Sequence, residues 1–184
     1  MNILHRDDSK RAQTGFSLIE LMISLVILGL LIGIALPNFN RFIAQRRVSS
    51  IQQNLIDTLS LARSEAVTRG ERVVVCAIPA GQVACAAVST TNTDWSGGWI
   101  VFVESTNFII RNKRQMQPNI GISFSGGNRV TFESLGELDS IANNEQDFVI
   151  TGASAITAAL SLRTTGRLRT CQTWNAISGQ CDDQ

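Results

Sequence analysis

The sequence has no tyrosine and a single histidine, His5, close to its start. One terminal histidine cannot build a Ser–His or Cys–His pair or a multi-histidine metal site, which weakens most enzyme readings at once. Charge is scarce as well: 17% of the 184 residues, with 16 Lys+Arg against 15 Asp+Glu and a net charge of +1. That balance excludes a globally basic nucleic-acid coat and an acidic disordered tail. The acids Asp94, Glu133 and Asp139 form no catalytic motif, and the serines and threonines have no evident base, so an enzyme is not expected. No repeat or low-complexity tract is visible. Apolar residues make up 44%, enough for one packed domain with an appendage.

Charge is almost missing from one stretch. Residues 16–36 form a 21-residue apolar run in which Glu20 is the one charged residue. As a helix this run reaches roughly 30 Å, about one hydrocarbon core. A secretory signal would be shorter and would end at a small-residue cleavage site, but Pro37-Asn38-Phe39-Asn40 follows instead. The run is therefore expected to stay on the protein. Arg6, Lys10 and Arg11 before it place the N-terminus in the cytoplasm and the rest outside. A carboxylate in such a helix costs about 2.5–3.5 kcal/mol at its centre and less near an end. Glu20 either lies near the interface or has a partner, such as a free α-amino group.

Gly15-Phe16-Ser17-Leu18-Ile19-Glu20, the polar leader and Pro37 together resemble the class III signal of type IV pilins and type II secretion pseudopilins. The resemblance implies cleavage between Gly15 and Phe16 by a prepilin peptidase and N-methylation of the new Phe16 amine. It also implies that Glu20 pairs with an N-terminal amine during filament assembly. An ammonium partner makes a buried carboxylate tolerable, whereas removing either member strands a charge.

After Pro37 the pattern is amphipathic. Val48, Ile51, Leu55, Leu59, Ala62 and Ala66 follow steps of three and four, while Arg46, Arg47, Gln52, Gln53, Asp57 and Arg63 lie largely off that stripe. Gly70 is a natural stop. One long helix is expected over about 16–69, bent or loosened at Pro37. From residue 71 the texture is β. Strands are expected at 72–78, 99–103, 108–110, 120–124, 130–132, 147–151 and 158–163, and 83–87 could return on the first as a hairpin. Gly126-Gly127 is a hairpin-turn candidate, and 134–146 reads as a surface loop. The expected fold class is α+β: a long N-terminal helix, half transmembrane and half amphipathic, packed on a mostly antiparallel β head. The expected organisation is a cleaved leader at 1–15, a transmembrane or filament-core helix at 16–36, an amphipathic helix at 37–69 and a β-rich head at 70–184.

Ser60-Leu61-Ala62-Arg63-Ser64-Glu65-Ala66, Trp95-Ser96-Gly97-Gly98-Trp99 and the late Gly166-Arg167-Leu168-Arg169 resemble the GspH/FimT group of minor pilins and pseudopilins. One departure is Glu104, where the group often has aspartate. The resemblance implies an inner-membrane protein that crosses once with a periplasmic head, and a pilus or extracellular location after assembly. Its implied partners are other pilins, the prepilin peptidase and the membrane.

Cys76, Cys85, Cys171 and Cys181 all fall in the extracytoplasmic part. Four cysteines allow three pairings. Cys76–Cys85, across the first hairpin, and Cys171–Cys181, closing the tail, are preferred, each worth roughly 2–3 kcal/mol in the chain-entropy model. C-x8-C and C-x9-C are not zinc spacings, so no metal is expected, and no cofactor.

Near the C-terminus, Leu160, Leu162 and Leu168 alternate with polar residues. If the leucines face the core, Arg167 and Arg169 point outward, about 6.5–7 Å apart along the strand, comparable to successive phosphates. Thr164-Thr165-Gly166 makes a turn, and Arg163 before it faces outward too. No acid lies between Asp147 and Asp182, so nothing local in sequence neutralises the patch. A solvated β-face is the ordinary alternative. The Gly166-Arg167-Leu168-Arg169 motif also looks like the DNA-contacting motif of FimT-type minor pilins, which act in DNA uptake during natural transformation. On that reading Arg163, Gly166, Arg167 and Arg169 bind the DNA backbone without sequence preference. Arg111, Lys113, Arg114 and Arg129 could extend the patch, and Trp174 could stack on a base. The rival is a minor pseudopilin of a type II secretion system, or a pilus-priming subunit, with the arginines contacting neighbouring subunits.

Overall fold

The structure, a computed structural model, describes residues 15–78, 81, 84–85, 87–89, 91, 93–114, 119–139, 145–153, 157–171, 174–175 and 180–181, with backbone alone at 34–38 and 180. Residues 1–14 of the expected leader 1–15, and the side chain of Pro37, lie outside that set. The chain divides into two compact units, Met1–Asn40 and Arg41–Gln184. Helix α1, Leu18–Arg69, runs for 52 residues and contributes to both.

In the first unit the apolar side chains of α1 face outward on every side, from 48% exposed at Ile32 to 77% at Leu18. A helix that is apolar all round needs an apolar surrounding. Among the described residues no helix is long and apolar enough to cross a membrane. Glu20 sits in the first turn of α1.

In the second unit Val48, Ile51, Leu55, Leu59, Ala62 and Ala66 are all buried, so the 3.6-residue stripe is the core face of α1. Each buried aliphatic side chain of valine or leucine size contributes roughly 1.5–3 kcal/mol. The helix ends where Gly70 turns to φ 66° and its N–H donates to Ala66 O at 2.9 Å, a left-handed stop that favours glycine.

The strands are β1 (Val73–Ala77), β2 (Gly98–Val103), β3 (Ile109–Arg114), β4 (Gly121–Phe124), β5 (Arg129–Phe132), β6 (Glu145–Thr151), β7 (Thr157–Arg163), β8 (Leu168–Thr170), β9 (Trp174–Asn175) and β10 (Gln180–Cys181). They form two four-stranded sheets, ordered β3-β2-β1-β5 and β4-β6-β7-β8, and a small β10-β9 ribbon. Every pairing is antiparallel. The inner faces of both large sheets close with the helix stripe on one core. Trp95 meets Phe148 edge-on at 5.0 Å, and Phe148 stacks on Phe124 at 4.0 Å. The buried indoles keep partners: Trp95 Nε1 donates to Gly127 O at 2.8 Å and Trp99 Nε1 to Thr58 Oγ1 at 3.0 Å. The α+β class expected from the sequence is the one observed.

Two local expectations fail. The expected return strand at 83–87 does not pair with β1, because β2 and β5 occupy both of its edges; of that segment, 83 and 86 lie outside the described residues. Gly126-Gly127 is no hairpin turn either. The strands on its two sides belong to different sheets, β4 pairing with β6 and β5 with β1, so the chain changes layer there.

Candidate nucleic-acid interface

β7 and β8 form the hairpin at one edge of the second sheet. Leu162 pairs with Leu168, Ser161 with Arg169 and Leu160 with Thr170. Leu160 and Leu162 are buried in the core. Alternation therefore puts Arg163, Arg167 and Arg169 together on the opposite, outer face, and all three are exposed. The turn closes through Gly166 N–H to Arg163 O at 2.8 Å and Arg163 N–H to Arg167 O at 3.0 Å. β8 is the edge strand of its sheet, so Arg167 and Arg169 line an open border.

The turn is held from behind by a residue the sequence did not single out for the site. Arg63, on α1, donates from Nε to Gly136 O at 3.0 Å and from its terminal nitrogen to Thr165 O at 3.1 Å. Leu138 N–H adds a bond to Thr164 O at 2.9 Å. Helix, 133–139 loop and hairpin tip are thereby joined. Gly166 has φ 72°, and a Cβ there would collide with the carbonyl of Gly136 and crowd Arg63 Nε. Its backbone and its close approach both require glycine. In the sequence Arg63 carries two signals, its place in the Ser60–Ala66 motif and its position off the apolar stripe, and neither points to the hairpin.

The expectation of an arginine patch without carboxylates is corrected. β6 begins at Glu145, inside the segment expected as a loop, and pairs along β7. The register sets Glu145 opposite Arg163, and Asp147 opposite Ser161, which in turn faces Arg169. Arg163 Nε lies 3.4 Å from Glu145 Oε1. The nearby Ser161 hydroxyl and then the charges of Arg163 and Arg169 hold the Glu145 carboxyl below the usual range, against its partial burial. Asp147 moves the other way: burial pushes it up, and the charge of Glu145 adds to that, over the help of Ser161. The Ser161 hydroxyl is buried beside both carboxylates but aligned for a bond to neither.

The further basic residues are not brought to this face. Arg111, Lys113 and Arg114 lie on β3, an edge of the other sheet, and Arg129 on β5, its opposite edge. Arg129 pairs with Glu104 at 3.4 Å and lies over the Phe102 ring at 5.8 Å. Trp174 is half-buried in the β9–β10 ribbon, opposite Cys181. Glu104, Glu133 and Asp139 converge on Arg72, Glu104 at 3.2 Å and Glu133 at 3.0 Å.

The disulfides are Cys76–Cys85 and Cys171–Cys181, with Cα atoms 5.7 and 5.4 Å apart. The second anchors the tail beside the hairpin: Cys171 N–H donates to Ala159 O at 3.1 Å, and Cys181 Sγ lies 3.9 Å from Asp147 Oδ1. No group of acids, histidines and cysteines among the described residues could hold a metal.

The comparisons with known proteins give the class of protein that carries this hairpin. A family model described as "Type II transport protein GspH" matches residues 52–168, and one described as "Prokaryotic N-terminal methylation motif" matches residues 10–36. The chain belongs to the GspH family. A fimbrial protein of Pseudomonas aeruginosa is 36% identical over 69 residues, 38% of this chain and 44% of that protein. The fimbrial protein EcpC of Eikenella corrodens is 30% identical over 102 residues, 55% of this chain and 62% of that protein. The chain thus spans less than two thirds of the length of these curated relatives. Two crystal forms of the type IV minor pilin FimU of P. aeruginosa share the fold at 21% identity. Their TM-scores are 0.52 and 0.51, over 70% and 66% of this chain and 91% and 90% of theirs. Family and fold are those of structural, non-enzymatic proteins.

Proposed function

We propose that the chain is a minor type IV pilin whose head binds extracellular DNA, without sequence preference, for uptake in natural transformation. The observation that carries this reading is the joint placement of Arg163, Arg167 and Arg169 on the outer face of one edge hairpin. Guanidinium forks match phosphate oxygens and keep their charge at any physiological pH. Contacts of this kind are salt-dependent and individually modest, so several subunits would act together. In this reading the leader 1–15 is removed between Gly15 and Phe16, the Phe16 amine is methylated, and Glu20 pairs with such an amine in the filament. Residues 16–36 lodge first in the inner membrane and then in the filament core, 37–69 form the amphipathic half of the helix, and 70–184 form the head. The methylation-motif match and the outward apolar side chains of α1 support that part.

A second reading, a minor pseudopilin or priming subunit with the arginines against neighbouring subunits, is favoured by the name of the matched family model. Complementation separates the two. A deletion strain receives either wild type or Arg167→Gln/Arg169→Gln, and DNA uptake, pilus assembly and type II secretion are scored separately. The proposal expects the variant to restore assembly and not uptake. Restored uptake, or a deletion defect confined to secretion, favours the second reading.

A further inference from the structure

The buried stripe of α1 begins at Val48. One heptad earlier the same line reaches Arg41, and Arg41 is exposed, so the core stops short of it. Arg46 and Arg47 follow, both exposed. At 3.6 residues per turn they stand roughly 140° and 240° round the axis from Arg41, so the three side chains leave the helix on all sides. Arg46 lies over the Phe42 ring at 4.9 Å, and that ring is itself 49% exposed. None of the three arginines has a carboxylate partner among the described residues. No acid occurs between Glu20 and Asp57. Further along the same helix, by contrast, Arg63 bonds two carbonyls and Arg69 pairs with Glu65 at 2.6 Å. In the sequence the three cations begin five residues after the apolar run 16–36 ends.

We infer that Arg41, Arg46 and Arg47 form a cationic collar that binds the phosphate groups of anionic phospholipids, in the membrane leaflet on the side of the head. This rests on the reading of residues 16–36 as a membrane segment. The geometry selects the occupant. A protein partner or a duplex approaches a helix from one side and would reach one or two of these arginines. A headgroup layer surrounds a helix that passes through it and meets all three. Guanidinium forks match phosphate oxygens, and each basic residue close to an anionic surface strengthens its attraction roughly fivefold. The exposed Phe42 ring, apolar and in contact with a cation, suits the boundary between acyl chains and headgroups. Orientation is not the cause of this charge, because Lys and Arg on the outer flank oppose the bias that keeps cations in the cytoplasm. The collar instead holds the subunit at one height in its leaflet before assembly.

The test reconstitutes the full chain in phosphatidylcholine vesicles and measures the lipid that the protein immobilises. The probe is spin-labelled phosphatidylglycerol or spin-labelled phosphatidylcholine. The proteins are wild type, Arg41→Gln/Arg46→Gln/Arg47→Gln, the corresponding triple lysine variant, the three single glutamine variants and Arg167→Gln/Arg169→Gln. Wild type should prefer the phosphatidylglycerol probe by roughly 3–5-fold at low salt, and less at high salt. The triple glutamine variant should lose the preference, the lysine variant should keep most of it, and the hairpin variant should match wild type. Each single variant should remove a similar share, as a ring requires. A loss confined to one arginine means a one-sided contact and overturns the inference, and so does a preference that survives the triple glutamine variant. A triple glutamine variant that keeps the preference but binds a duplex more weakly assigns these arginines to DNA. Should that variant reconstitute poorly, the single variants decide. If wild type immobilises both probes equally, the collar falls and the membrane reading stands; if it immobilises neither, the membrane reading falls with it.

Discussion

Arginine is used in two opposite ways on the two sheets. Next to β1, one arginine, Arg72, is surrounded by three carboxylates, from Glu104, Glu133 and Asp139. On the hairpin, Arg163, Arg167 and Arg169 lie along one border, with Glu145 and Asp147 on the neighbouring strand and Glu137 in the hollow beside Arg163 and Arg167 among the described residues. The first arrangement spends its cation on holding β1, the β2–β3 turn and the 133–139 loop together. The second sets its cations exposed along a sheet border. Placement on an exposed border, in contrast to a ring of three carboxylates, is what presents a guanidinium to a ligand.

Breaking the hairpin side of that contrast should have the largest effect. Arg167→Gln/Arg169→Gln should lower duplex affinity by roughly 10–100-fold and reduce the salt slope by about two, in a head that still unfolds cooperatively. Gly166→Ala comes next, because a methyl group meets the Gly136 carbonyl and the left-handed backbone is lost. A loss of about 1–2 kcal/mol in denaturant unfolding, with weakened binding, is expected. Arg72→Gln tests the other side: about 1 kcal/mol of stability should go, since three clustered carboxylates lose their common cation, while duplex affinity stays the same. The smallest effect concerns Asp147. Its folded-state pKa is raised by burial, so its contribution to stability is complete below the ordinary aspartate value and is lost as pH rises through the raised one. Asp147→Asn should therefore raise the melting temperature slightly near pH 7 and leave it unchanged near pH 3, a sign that melts at the two pH values read directly.

The legible parts of this chain were those with a local period. All six stripe residues from Val48 to Ala66 are buried as a 3.6-residue spacing requires, and Leu160 and Leu162 face the core as strand alternation requires. Pairings that depend on distant segments were not legible. Glu145 lies in a polar stretch without alternation and becomes a strand only because β7 offers it a ladder. Its meeting with Arg163 is a fact of register, which the acid-free run after Asp147 concealed. Arg63 reaches Thr165 across 102 positions, and no local pattern announces such a contact. Gly126-Gly127 has the composition of a hairpin turn yet joins two layers, because turn chemistry fixes the local bend and not the sheet to which each strand goes. The same limit applied to Arg111, Lys113, Arg114 and Arg129, whose sequence neighbourhood is basic but whose strands lie in the other sheet.

The most direct test of the account is duplex binding by the full chain in detergent micelles at two salt concentrations, wild type against Arg167→Gln/Arg169→Gln. The account predicts wild-type binding that weakens steeply with salt and falls by roughly 10–100-fold in the double variant. A folded wild-type protein that fails to bind at low salt, or a double variant that binds as well as wild type, would contradict it and return the hairpin arginines to contacts between subunits.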